Sequence, residues 1–338
     1  MSSRARRVAW TSVGVALLGI LIYESGPVRI ASDLQSVGRG LIVVIALEFV
    51  VDGFHTLGWW FTFPPEGRRG SYWTLYFVRL AGTALNQTIP AASMGGEPAK
   101  VFLLEPHFPV ATAIATVMTS SLVFSLSKAA FIAFGTIVTW SRLKLPHGFM
   151  IAVVIGFAAS LSGILVFMFL QLRGFASTTK RITARLPIPQ RWIESIERLA
   201  PGVDEEIGAF YRSRPRDLTL AVVAHQLAFL CGVIQVWLLL GWLGLPRSFA
   251  ISLAIESFSM LLGFVIFVVP GSIGVQEGGK LLIFAALGLP AAAGLAVGIA
   301  FRLTSIAGAA AGLLAFAALK GRKFPGPSPV NFTGESPP

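Results

Sequence analysis

Two stretches of this chain hold the residue types that could do chemistry, and they hold them in the same order. Residues 269–280 read VPGSIGVQEGGK and residues 89–100 read IPAASMGGEPAK. Aligned without a gap, an apolar residue (Ile89, Val269) precedes a proline (Pro90, Pro270). A glutamate follows seven residues later (Glu97, Glu277), and a lysine three residues after that (Lys100, Lys280). Further prolines follow at Pro109 and Pro290, one residue out of register, and an apolar small-residue run begins after each. Proline removes a backbone donor, and glycines such as Gly271 and Gly274 loosen a helix. At membrane depth such a break is tolerated where it is buried in protein or lines a watery cavity. An acid placed there marks a functional site; outside the membrane the same stretch is an ordinary polar loop. Paired Gly/Pro-interrupted segments in the two halves of a chain are the pattern of a binding site built from internal repeats.

Spacing extends the set of candidates. Glu97 and Lys100 share a helix face, as do Glu277 and Lys280. They either line one charged cavity or form two self-neutralising pairs that lower the cost of buried charge. Arg302, twelve residues after Pro290, is a mid-span cation. Its guanidinium suits a phosphate by its bidentate donors, or it serves as the partner of Glu277. Glu48, Asp52 and His55, at i, i+4 and i+7, form one polar stripe, either a proton relay or a set of bonds to a neighbouring helix. Arg79 and Lys128 are candidate partners for its carboxylates. Glu105 and His107 are too few for a metal site. His225 and Gln226 read as interhelical hydrogen-bonders, and Glu256 is buried by position without a role. Glycine spacings in 294–312 suit close helix packing. No phosphate loop, nucleophile elbow or HExxH occurs, so no catalytic residue, metal or cofactor is expected.

The elements that must position these residues are membrane helices. Apolar residues make up 54% of the 338 and charged residues 13%, against about 25% charged in soluble domains; mean hydropathy is +0.74. The net charge of +11 is spread over short loops, as membrane topology demands, and no nucleic-acid partner is expected. The lone Cys231 excludes a disulfide framework. Unbroken spans are expected at 8–23, 41–63, 110–140, 150–172, 218–243 and 291–319, with broken regions at 72–109 and 249–289. The polar segment 173–217 includes an amphipathic surface helix near 191–212, and the proline-rich tail 320–338 is expected to be disordered. If each broken region returns to the face it left, 17 Lys and Arg fall on the cytoplasmic side and five outside, which satisfies the positive-inside rule. The expected fold is all-α and polytopic. It has two inverted repeats, about 8–140 and 150–319, each carrying a re-entrant hairpin, with 173–217 a cytoplasmic insertion. Both termini are then cytoplasmic, in the plasma (inner) membrane.

PGSIGVQEGG at 270–279, GGEPAK at 95–100 and the arginine of the last span together resemble the flippase-like family, the membrane region of lysylphosphatidylglycerol synthases. Stand-alone members are linked to hopanoid and glycolipid pathways. The resemblance runs roughly from the second span to residue 319. It implies movement or binding of lipid-linked amphiphiles, and Glu97, Lys100, Glu277 and Arg302 match its motif positions. Lys280 and the Glu48/Asp52/His55 stripe are this chain's own. No aminoacyltransferase domain follows, so synthase activity is not implied. The expectation is a transporter of an anionic or polyprenyl- or hopanoid-type amphiphile. Its site is drawn from Glu97, Lys100, Glu277, Lys280, Arg302, Pro90, Pro270, Gly271 and Gly274. The alternatives are a membrane enzyme subunit using the carboxylates as acid–base groups, or a scaffold for lipid-synthesis enzymes.

Overall fold

A computed structural model describes residues 35–69, 72–88, 96–143, 145–174, 190–265 and 274–320, with Tyr23, Val28 and Ser32. The expected first span, the tail, and Pro90, Pro270 and Gly271 lie outside the described residues. Among the described residues every regular element is helical: α1 Gly40–Trp60, α2 Tyr72–Thr88, α3 Gly96–Leu104, α4 Val110–Arg142, α5 His147–Leu172, α6 Gln190–Ser213, α7 Pro215–Trp242, α8 Phe249–Val265, α9 Val275–Ala286 and α10 Ala291–Lys320. A 3-10 turn, Pro65–Arg69, links α1 to α2.

Five helices, α1, α4, α5, α7 and α10, are long and apolar enough to cross a membrane. Each matches an expected span to within a few residues. The ends follow local chemistry. Prolines stand just before α4 and α5, at Pro109 and Pro146, and at the first position of α7, Pro215, where their missing N–H costs nothing. The two motif regions instead form pairs of shorter helices, α2 with α3 and α8 with α9. At 1.5 Å per residue, nine-residue α3 spans only about 14 Å, well under the roughly 30 Å of a hydrocarbon core.

Packing between the two halves is reciprocal. α1 runs along α7, α2 runs along α10, and α8 runs along α4. Close approach is built into α10: a side chain at Gly312 would run into the Leu80 carbonyl of α2. Gly294 and Gly298 lie on α9, where an added Cβ would meet the Lys280 carbonyl at 2.7 Å and the Glu277 Cα at 3.1 Å. This is the packing role expected of those glycines.

The chain before α2 meets the chain after α3. The Phe63 and Phe108 rings lie 4.9 Å apart, in a cluster with Leu104, Phe316 and Leu319. Leu243 and Leu245, before α8, join Leu287 and Leu289, after α9, in a second cluster with Leu41 and Leu143. Arg68 grips Asp217 with both terminal nitrogens and donates to the Phe61 and Phe63 carbonyls, which ties the α1–α2 turn to the start of α7. The amphipathic helix is α6, which extends the expected 191–212 by one residue at each end. Its Val203 and Ile207 are buried against Ala111 and Ala115 of α4, and its acidic positions Glu194, Glu197 and Glu205 stay exposed.

Candidate functional site

The two glutamates sit in the first turns of α3 and α9, and their surroundings differ. In α9 the N-cap is Gly274, at φ +77°, a conformation that any side chain would strain. Its N–H donates to Glu277 Oε2 at 2.8 Å, and Arg302 Nε donates to Glu277 Oε1 at 2.7 Å. Glu277 is thus a buried anchor that caps α9 and ties it to α10. In α3 the glutamate pairs with its own lysine: Lys100 Nζ lies 2.7 Å from Glu97 Oε1. Lys100 is buried, with its ammonium 5.6 Å from the Trp59 ring centre and its stem over the bare backbone of Gly82. Asn86 Oδ1 accepts from the Gly96 N–H at 2.6 Å, which fixes the start of α3.

Ser121, twelve residues after Pro109, reaches Glu97 Oε2 at 3.4 Å. Arg302, twelve residues after Pro290, reaches Glu277. The same place on the following helix therefore holds a hydroxyl in one half and a guanidinium in the other. Because Arg302 takes Glu277, Lys280 makes no ion pair with it within 4 Å. The Lys280 ammonium instead lies 4.9 Å from the centre of the Phe301 ring and lines a cavity.

That cavity, about 290 Å³, is lined by residues of α1, α4, α7, α8, α9 and α10. Its ionisable walls are Glu48, His55, Lys128, Glu256 and Lys280, with Gln235, Gln276, Ser259 and Ser305 beside them. Glu48, Lys128 and Glu256 stand near the middles of their helices, so the chamber sits at the depth of the spans. Its volume is that of roughly ten waters at ~30 Å³ each, room for a phosphate-sized headgroup but not for acyl chains.

The polar stripe of α1 faces inward and then divides. Glu48 Oε2 accepts from Gln235 Nε2 at 3.1 Å, and the same amide nitrogen donates to the Val44 carbonyl. Asp52 lies 3.5 Å from Arg79 Nε, the partner proposed for it from sequence. His55 and His225 meet through their Nδ1 atoms at 3.0 Å, with Phe124 and Phe229 against them. Among the described residues no hydrogen bond joins one member of the stripe to the next. Electrostatics link the two motifs instead. Asp52 lies within charge reach of Lys100 and Arg79, and Glu48 within reach of Asp52 and Lys280. Gln226 donates to the Ser127 carbonyl at 2.8 Å, an interhelical bond as expected. Among the described residues no group of three His, Cys, Asp or Glu could hold a metal.

Sequence reasoning missed the centrality of Glu256, Lys128, Gln235 and Gln276. Gln276 stands inside the second motif, directly before Glu277; no motif marks the other three, and their only signal is an ionisable or amide group alone in an apolar run.

Comparison with known proteins agrees with this architecture. The family model described as the lysylphosphatidylglycerol synthase TM region matches residues 8–312. A UPF0104 membrane protein of Methanothermobacter thermautotrophicus is 24% identical over 308 residues, covering 87% of this chain and 89% of that protein. No solved structure matches. The chain belongs to the lysylphosphatidylglycerol synthase TM-region family and is a multi-pass membrane protein.

Proposed function

We propose that this member of the family is a transporter that moves the headgroup of an anionic or isoprenoid-linked amphiphile between leaflets, without chemical turnover. The observation that carries this reading is the chamber itself. Two lysines and two glutamates at mid-span depth are costly in a membrane protein, and a headgroup path is the use that accounts for them. Lys128 and Lys280 attract the headgroup, Gln235 and Gln276 offer neutral hydrogen bonds, and the acyl chains stay outside in lipid. Arg302, anchored to Glu277, directly follows the chamber-lining Phe301 and precedes Ser305 by three residues. Glu97 and Lys100 form the matching charged element of the first half.

Alternating access supplies the motion, with two inverted repeats carrying opposed hairpins. Three observations support it: the reciprocal packing of α2 on α10 and of α8 on α4, the return of each short-helix pair toward the end it left, and the matched reach of Ser121 and Arg302. The 17-to-5 charge split supports an inner-membrane orientation with both termini and α6 cytoplasmic. Lipid-biosynthesis enzymes are natural partners in supplying such a cargo.

The test is purified protein in phosphatidylcholine vesicles carrying, one at a time, fluorescent anionic, zwitterionic and polyprenyl-phosphate lipids. The rate at which the label becomes accessible to an impermeant quencher is measured. Anionic lipids cross faster than in protein-free vesicles. Equal rates for every lipid with and without protein would overturn the transporter reading and favour a scaffold.

A further inference from the structure

We propose that each anionic headgroup entering the chamber is accompanied by one proton, taken up by Glu256, so that the transported unit is electrically neutral. This rests on the reading above that the chamber admits the headgroup. It adds the coupling ion, its stoichiometry and the residue that carries it.

The argument begins with charge balance. Glu48 and Glu256 face Lys128 and Lys280 around the chamber, and these four charges sum to zero. His55 is tied to His225 through the two Nδ1 atoms, so one of those nitrogens must keep its lone pair. A headgroup bearing one negative charge leaves the chamber one charge short. A net charge held away from water is expensive unless it is paired. A proton arriving with the headgroup restores neutrality, and its loss on exit returns the chamber to rest.

Geometry chooses between the two carboxylates. Glu48 is pinned as an acceptor by Gln235, whose amide nitrogen is held in turn by the Val44 carbonyl. Protonating Glu48 would disturb a bonded arrangement. Glu256 receives no hydrogen bond from a described residue. Its carboxyl lies on the bare backbone of Gly232, where an added Cβ would come within 2.6 Å of Oε1. Its charge can change without breaking a hydrogen bond to any described residue.

The described elements around Glu256 present a small set of titratable groups. α1 presents Glu48 and His55, α4 presents Lys128, and α9 presents Lys280. Glu277 of α9 and Arg302 of α10 are engaged with each other. α7 brings His225 behind His55 and the neutral Gln235 to the wall, and α5 meets α8 through Phe149 against Phe258. Lys128 and Lys280 are within electrostatic reach of Glu256, close enough for a bound phosphate to compete with it for them.

The test uses the full chain in detergent micelles and dihexanoylphosphatidylglycerol, a short-chain phosphodiester lipid, as the probe. Binding heats are measured in two buffers of equal pH and different ionisation heat, and affinity is followed against pH. The wild type takes up one proton per bound lipid, and its affinity falls about tenfold per pH unit once the free protein holds Glu256 ionised. Glu256→Gln binds the probe with no proton exchanged, whereas Glu256→Asp, which keeps a titratable carboxylate, keeps the one-proton uptake. Wild-type binding without proton uptake overturns the coupling and leaves the headgroup chamber standing. Uptake that persists in Glu256→Gln overturns the assignment to that residue. Failure of the wild type to bind overturns the chamber reading and the coupling together. Should Glu256→Gln not fold, Glu256→Asp still decides the matter: the pH at which affinity begins to fall moves with the altered carboxylate, and an unmoved profile overturns the assignment.

Discussion

Removing Arg302 should damage the protein more than removing its partner's charge, and removing both should damage it least. The pair joins α9 to α10 at 2.7 Å, with the Glu277 side chain 2% exposed and the Arg302 side chain 24% exposed. Breaking a buried pair costs about 3–5 kcal/mol, because it strands the other charge. Glu277→Gln takes one carboxylate from a guanidinium that is partly exposed and can lean toward solvent, so its loss belongs near the low end, about 3 kcal/mol. Arg302→Gln strands a carboxylate that has no such escape; it keeps the Gly274 N–H, and Lys280 can turn to it only by giving up its place in the chamber, so the loss is nearer 5 kcal/mol. The double variant leaves two neutral amides in reach of each other, and the residual loss falls to about 1 kcal/mol, the scale of an ordinary hydrogen bond. Thermal unfolding of purified variants in detergent, followed by tryptophan fluorescence, reads the order directly. At roughly 2 °C per kcal/mol for a chain of this size, the single variants melt about 6 and 10 °C below wild type. A double variant as unstable as the sum of the singles would refute the pairing. Arg302→Lys, which keeps the charge, separates anchoring from phosphate recognition: if Arg302 only anchors, its transport matches wild type.

Four further outcomes follow from the contacts and from the charge split. Gly274→Ala lowers stability by about 1 kcal/mol, because residue 274 sits at positive φ, with helix content unchanged by circular dichroism. Arg68→Lys loses the planar fork that grips Asp217 and two carbonyls; it destabilises by about 1–2 kcal/mol, whereas Glu97→Gln, which takes the carboxylate from the buried Lys100 ammonium, costs about 3 kcal/mol. In a Cys231→Ser background, Ser248→Cys reacts with an impermeant thiol reagent on intact cells and Glu197→Cys does not; the reverse pattern would invert the topology.

Much of the framework is legible in the sequence because a membrane span announces itself by length and polarity alone. α4, α7 and α10 begin and end within a few residues of the apolar runs that predict them. α6 is legible as well, since charge interrupts its apolar stripe at helical spacing. The site is legible only in part. The matched motifs lead to Glu97, Lys100, Glu277 and Lys280, but their parity implies equal pairing, and the pairing is unequal. The cause lies outside the motifs, in the serine at 121 and the arginine at 302, which decide whether each glutamate needs its own lysine. Glu256 and Lys128 stand alone in apolar helices, where no spacing rule points from one to the other. Only packing α8 on α4 brings them to one chamber.

The lysines of that chamber offer the most direct test that headgroups pass through it. Initial rates of fluorescent phosphatidylglycerol translocation are measured in vesicles holding wild type or the Lys128→Gln/Lys280→Gln double variant, at equal protein content and with folding checked by size-exclusion chromatography. Wild type moves the lipid well above the protein-free rate, and the folded double variant loses at least ten-fold. Wild-type speed in the folded double variant would contradict passage through the chamber.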